Sequence, residues 1–251
     1  MAKLIILGTS HAVPTQDHEN THMLVVGTDR SVLIDCPSNP VLHFPRLGVD
    51  VLKLTDVILT HFHPDHVSGL PLLLLSSWLM GRQSSLNIYG LSDVLDRFEK
   101  MMLLFDWDQW PNFFPVKLIS IPPDEMTPVL ASPEFLVSAS PVHHMIPNIG
   151  LRLDFLAKSQ SLAYSGDTEP CQEVVRLAKG VDVLIHESTG ASFGHSSAAQ
   201  AGEIANLAGA KSLFLIHYDL SVNEPSELID MACSTFGGQI QLAQDSMELE
   251  F

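Results

Sequence analysis

Val57-Ile58-Leu59-Thr60-His61-Phe62-His63-Pro64-Asp65-His66 is the stretch on which the reading of this chain turns. Its first three residues are apolar and largely β-branched, which predicts a buried strand. Where a strand ends the backbone turns outward, so closely spaced side chains can converge on one point. Here three imidazoles and one carboxylate fall within six positions of that end. Imidazole nitrogen and carboxylate oxygen are the donors that zinc and neighbouring first-row metals accept. His61 and His63 can turn to one ion while Asp65 and His66 turn to a second. Clustering so many titratable groups without a cation would be costly, which argues against a plain polar turn.

The rest of the composition sets bounds. At 251 residues and 46% hydrophobic content, the chain can bury one sizeable core, and residues 1–251 are expected to form one domain. No leader with basic flanks and an apolar centre is visible, and residues 2–7 read as a first strand. The apolar run 70–80 falls short of membrane-spanning length and is interrupted by Pro71, Ser76 and Ser77. Cys36, Cys171 and Cys233 lie far apart, an odd and sparse set that argues against a disulfide framework. Together these features predict a soluble, cytoplasmic protein without membrane partners. The formal charge is −16, and Lys117 is the only basic residue between Lys100 and Arg152. No Lys/Arg stripe is present that could neutralise several phosphates at once.

Strand-like segments recur at 4–7, 23–26, 32–34, 57–60, 86–89, 116–121, 135–138, 150–155, 161–164, 181–185, 212–216 and the tail 240–251. Helical spacing marks 93–104, 172–178, 198–209 and 225–236. Early strands follow one another as hairpins, and later ones alternate with helices. The expected class is α/β: an αββα sandwich of two mixed sheets with helices outside. Segment 98–114 breaks the rhythm with Phe98, Phe105, Trp107, Trp110, Phe113 and Phe114. It reads as core packing, with an apolar lid or a homodimer contact as alternatives.

Further candidate ligands sit at other strand ends. Asp167 follows an apolar strand beside Gly166, which permits close backbone approach, and is the best candidate to bridge two ions. His217 ends the strand 212–216, and His143 and His144 follow 135–138.

The order His61-x-His63-x-Asp65-His66, a later His, Gly166-Asp167-Thr168 and a final strand-end His resembles the metallo-β-lactamase superfamily. Leu7-Gly8-Thr9 with Ala12-Val13-Pro14-Thr15, and His186-Glu187-Ser188-Thr189 followed by His195-Ser196-Ser197-Ala198, are similar to signatures of its ribonuclease Z branch. The resemblance covers nearly the whole chain. It implies two divalent ions per chain, zinc first, with manganese or iron as alternatives. One ion would lie on His61, His63 and a later His; the other on Asp65, His66 and His217; Asp167 would bridge. The family's later His lies six positions before a glycine, and Gly150 then selects His144 over His143, which would face the other way.

The implied activity is phosphodiester hydrolysis, at an RNA 3′ end or on a smaller phosphodiester, by a metal-activated hydroxide. Asp65 would be the general base, His195 would donate to the developing charge or the leaving oxygen, and Glu187 would orient His195 or support a ligand. Ser196 and Ser197 could cap the helix beginning near Ala198.

Three departures from the branch stand out. Only twenty-two residues separate His144 from Asp167, too few for the branch's long basic tRNA-gripping arm. Pro37-Ser38-Asn39-Pro40 replaces a glycine-rich run, and Tyr218-Asp219-Leu220-Ser221 replaces an ending that carries an arginine. Transfer RNA is therefore a possible partner that the charge does not favour. Alternative readings are a thioester or lactone hydrolase on the same fold and a non-catalytic metal-binding protein. A redox di-iron centre is disfavoured because that branch usually has Glu where His63 stands.

Overall fold

The computed structural model describes residues 2–251. The first half runs β1 (Lys3–Gly8), β2 (His22–Val26), β3 (Ser31–Ile34), β4 (Asp56–Ile58), α1 (Pro64–Val67), α2 (Leu70–Leu79), β5 (Leu86–Gly90), α3 (Ser92–Leu103) and β6 (Val116–Ser120). There follow β7 (Thr127–Ala131), β8 (Phe135–Val142), β9 (Asn148–Phe155), β10 (Gln160–Tyr164), α4 (Gln172–Leu177), β11 (Val183–Glu187) and α5 (Ala198–Ala208). The chain ends with β12 (Ser212–Ile216), α6 (Pro225–Cys233), β13 (Gln239–Leu242) and β14 (Met247–Glu250).

These strands make two seven-stranded sheets, ordered β14-β1-β2-β3-β4-β5-β6 and β13-β12-β11-β10-β9-β8-β7. Each is mixed in the same way. In the first, β14 through β3 pair antiparallel and β3 through β6 parallel. In the second, β7 through β10 pair antiparallel and β10 through β13 parallel. Parallel neighbours need crossovers, and the helices supply most of them.

The layering follows from period-two burial along the strands. In β12, Phe214 and Ile216 join a core shared with the first sheet, through residues such as Leu4, Leu24 and Leu33. Leu213 and Leu215 of the same strand turn to the opposite face, against Val174, Ala201 and Ala232 of the helices. A sheet buried on both faces between its partner sheet and its helices is the αββα sandwich expected from the sequence.

Local chemistry sets the helix ends. Ser197 accepts from the Gln200 backbone while the Gln200 side chain returns to the cap, a capping box that opens α5. Ser196 does a different job: its hydroxyl donates to the Thr168 carbonyl at 2.7 Å. The run 70–80 is a helix, with Leu70, Leu73, Leu74 and Ser77 buried at helical spacing. Strand β7 is an additional element, and the tail is two strands rather than one. Residues 243–246 separate β13 in the second sheet from β14 in the first, with Ser246 at φ 67°. The aromatic segment packs on itself and on α2: Trp110 stacks on Trp78 at 5.1 Å between centroids, and Trp107 meets the fully buried Phe98 edge-on at 5.7 Å. No helix among the described residues is long and apolar enough to cross a membrane.

Candidate metal centre

The loops that carry the candidate residues all leave carboxyl ends of strands. The turn after β4 carries His61 and His63, and the one-turn helix α1, with Pro64 at its first position, carries Asp65 and His66. From the second sheet come His144 after β8, Asp167 after β10, Glu187 at the end of β11 and His217 directly after β12. Gly166 adopts φ 62°, and a Cβ there would lie 2.7 Å from the Ile149 carbonyl, so only glycine fits beside Asp167.

Two clusters result. His61, His63 and His144 form one; Asp65, His66, Asp167 and His217 form the other. In the first, His63 Nδ1 lies 3.0 Å from His61 Nε2 and 3.1 Å from His144 Nε2. In the second, His66 Nε2 and His217 Nε2 each lie 3.4 Å from Asp167 Oδ2, and 3.5 and 3.6 Å from Asp65 Oδ2. A tetrahedral ion with ligands at about 2.1 Å sets neighbouring donor atoms about 3.4 Å apart. Asp167 Oδ2 also lies 3.8 Å from His61 Nε2, so one carboxylate stands at the junction of both clusters.

Hydrogen bonds behind the rings fix their tautomers. His66 Nδ1 donates to Asp35 Oδ2 at 2.8 Å, and His144 Nδ1 donates to the Gly194 carbonyl at 2.7 Å. Thr60 gives its hydroxyl proton to Asp35, so its oxygen accepts from His61 Nδ1 at 3.0 Å. Thr189 donates to the His217 carbonyl and likewise accepts from His217 Nδ1, both at 2.7 Å. In all four rings Nε2 faces the centre; His63 alone presents Nδ1. Outer partners that hold imidazoles in this way are what metal sites require.

The interior groups are suited to a cation. His66 Nε2, His217 Nε2 and Asp167 Oδ1 are buried with no hydrogen-bond partner, which is costly unless an ion or solvent satisfies them. Burial opposes a charge on His66, yet Asp167 and Asp35 outweigh it and hold the imidazole well above its ordinary range. Asp167 is held well below the carboxylate range against its own burial, through His217 and His66. The centre therefore calls for positive charge, which divalent ions would supply.

Beside it sits a second pair. His195 Nδ1 lies 2.9 Å from Glu187 Oε1, and its ring is 5.0 Å from His144 and 5.7 Å from His217 between centroids. Burial would lower the His195 pKa, but the Glu187 hydrogen bond and charge prevail and raise it. Glu187 is fully buried and also accepts from the backbones of Thr168, Thr189 and Ser196. It thus ties the Asp167 loop to the His195 loop.

His143 points away: its side chain is 63% exposed and pairs with Glu173 at 3.4 Å. Sequence reasoning did not single out Asp35 or Thr189. The signal for Asp35 was present, a carboxylate at the end of the apolar strand β3, but its φ of 60° and its role behind His66 emerge only in three dimensions. A cavity of about 310 Å³ opens over the centre, lined by His11, Ala12, His63, Pro64, Asp65, Met145, Asp167, Thr189, His195 and His217. No aromatic residue of 98–114 lines it.

Comparison with known proteins agrees with this geometry. The chain is 26% identical to a ribonuclease Z of Methanothermobacter thermautotrophicus, covering 100% of this chain and 97% of the relative. It is 29% identical to a ribonuclease Z of Picrophilus torridus, over 93% and 91% of the two chains. Among solved structures, the metallo-β-lactamase fold protein YhfI of Bacillus subtilis superposes with a TM-score of 0.84 at 25% identity, covering 100% and 99%. The short form of human tRNase Z shares the fold, with a TM-score of 0.75 at 23% identity, covering 99% and 98%. A sequence model of the β-lactamase superfamily domain matches residues 30–218. The chain belongs to that superfamily and is a metal-dependent hydrolase that resembles ribonuclease Z.

Proposed function

We propose that residues 1–251 form one dinuclear metal-dependent phosphodiesterase domain. The observation that carries this reading is Asp167 Oδ2, within 3.8 Å of His61 Nε2 and 3.4 Å of both His66 Nε2 and His217 Nε2. His61, His63 and His144 would hold one ion, Asp65, His66 and His217 the other, and Asp167 both. Zinc suits a set rich in imidazole, with manganese or iron as alternatives. When bound, such ions lower the pKa of a water molecule and polarise the phosphoryl oxygens. Asp65 then accepts the attacking water's proton at its carboxylate, the general-base role. His195 donates to the leaving oxygen, and Glu187, fixed by three backbone N–H groups, holds its ring in place.

Relatives named ribonuclease Z favour an RNA phosphodiester as the class of bond cleaved. Two features favour a small one. The net charge is −16, and the interval between His144 and Asp167 is filled by the β9–β10 hairpin, so no tRNA-gripping arm is present there. We therefore expect a higher kcat/KM on a small or aryl phosphodiester than on precursor tRNA. A homodimer using the exposed Leu103, Leu104 and Phe105 is compatible with this reading. The free Cys36, Cys171 and Cys233 suit a reducing, cytoplasmic setting.

The test is to assay metal-loaded protein on bis-p-nitrophenyl phosphate, a precursor tRNA and a thioester at physiological salt. Cleavage of the thioester alone would overturn the phosphodiesterase reading. Efficient, position-specific 3′ cleavage of precursor tRNA would overturn the preference for small substrates. His195→Ala should retain its metal and lose roughly a hundred- to ten-thousand-fold in kcat. An unchanged kcat on an ester with a poor leaving group would remove His195 from the mechanism.

A further inference from the structure

One imidazole on the cavity wall has no role in the scheme above. His11 lies in the connection between β1 and β2, and it lines the same cavity as His63, Asp65, Asp167, His195 and His217. Its place is fixed from several sides. Its backbone N–H donates to the Tyr218 carbonyl at 3.3 Å, and its carbonyl accepts from the Asn20 side chain at 2.7 Å. The first ties this connection to the residue after His217, and the second braces the connection internally. The ring is braced as well: Nε2 lies 3.4 Å from Asp219 Oδ1, with the two side chains only 16% and 18% exposed. Asp219 is in turn held by the Ser221 backbone at 2.8 Å and the Ser221 hydroxyl at 2.5 Å.

The geometry is that of a second carboxylate–imidazole pair on one cavity. Glu187–His195 enters from the loop before α5, and Asp219–His11 from the connection after β1 and the turn after β12. The wall contains no lysine or arginine, so a bound phosphodiester could find side-chain N–H donors there only on histidines. The ligand histidines are committed to the metal clusters, and His195 to the leaving oxygen. That leaves His11.

We propose that His11 contacts the substrate as a doubly protonated imidazole, keeping Nε2–H on Asp219 and donating Nδ1–H to a non-bridging phosphate oxygen, the proton being taken up from solvent when the phosphate binds. This rests on the phosphodiesterase reading and adds a binding residue to it. It also places selectivity in the connection after β1, which carries no metal-ligand candidate. Met145 and Ala12 on the same wall leave apolar surface for the ester group beyond the phosphate.

The experiment compares wild type, His11→Ala, His11→Gln and Asp219→Asn, each loaded with metal and checked for metal content. Two readings are taken: calorimetric binding of inorganic phosphate, and KM and kcat on bis-p-nitrophenyl phosphate. A hydrogen bond to a charged group corresponds to roughly a ten- to hundred-fold change in binding. His11→Ala should weaken phosphate binding and raise KM by about that factor, with a smaller change in kcat and unchanged metal content. His11→Gln, which keeps an N–H donor, should recover part of the loss, and Asp219→Asn should fall between it and wild type. Wild-type affinity and KM in His11→Ala would overturn the proposal while leaving the phosphodiesterase reading intact. Wild-type protein that neither binds phosphate nor cleaves the ester would overturn that reading and this one with it.

Discussion

In the first sheet, every candidate ligand leaves from the turn after β4, within the six residues 61–66. In the second, candidates leave one at a time, His144 after β8, Asp167 after β10 and His217 after β12. The sheets share a strand plan, yet one offers a compact cassette and the other a set of separate arms. The supports differ accordingly. Asp35 alone holds His66 directly and His61 through Thr60, so it stands behind both clusters. Behind the second sheet's ligands the supports are individual: Gly194 for His144 and Thr189 for His217. A compact cassette concentrates dependence on a few residues, and separate arms distribute it.

The strongest way to break this contrast is at Asp167, the one arm that reaches both clusters. Asp167→Ala should lose both ions and on the order of a thousand-fold or more in activity, because several kcal/mol of charge stabilisation go with them. Elemental analysis finding a single ion that survives the substitution would refute the dinuclear arrangement. Next in size is Asp35→Asn. Loss of an outer partner costs about ten- to a hundred-fold in metal affinity, and here the loss should appear at both sites in a chelator titration. If only one site weakens, the cassette is not a unit. Thr189→Val sharpens the other side: a loss of about ten-fold, confined to the site that uses His217. The smallest effect belongs to His143→Ala. Its exposed side chain should be dispensable for metal content and activity, whereas His144→Ala should empty one site. A reversal of those two results would mean that the wrong histidine has been placed in the centre.

The same contrast explains what could be read from the sequence. The cassette is legible because its residues are adjacent in the chain and follow an apolar strand. Separate arms are isolated residues: Asp167, His217 and the pair His143 and His144 stand out because each follows an apolar strand, they carry weight as a set rather than singly, and the choice of His144 comes from the family resemblance. Asp35 escaped because its partners are Thr60 and His66, twenty-five and thirty-one positions away, and spacing along the chain cannot reveal such a contact. Strand β7 escaped for a different reason: it is an edge strand containing Pro128, with only Leu130 of its five residues buried, so its pattern lacks an apolar face. The helix α2 reads as an undifferentiated apolar run because leucines occupy nearly all faces of its first half. The tail's continuous strand character hid a change of sheet, which is a matter of tertiary partners rather than of propensity.

That change of sheet bears on how the chain must assemble. Strand β14 completes the edge beside β1, and Lys3 pairs with Glu248 across 245 positions of sequence. On a growing chain β1 emerges early, whereas its outer neighbour is made after every other strand. Until then β1 presents an open row of backbone N–H and C=O groups on a strongly apolar strand, the kind of edge that invites pairing with another chain. The closure that ends this exposure spans 245 positions, and pairings of such separation form slowly. Strand β14 therefore acts as a latch: β1 gains its outer neighbour only when synthesis has passed residue 250.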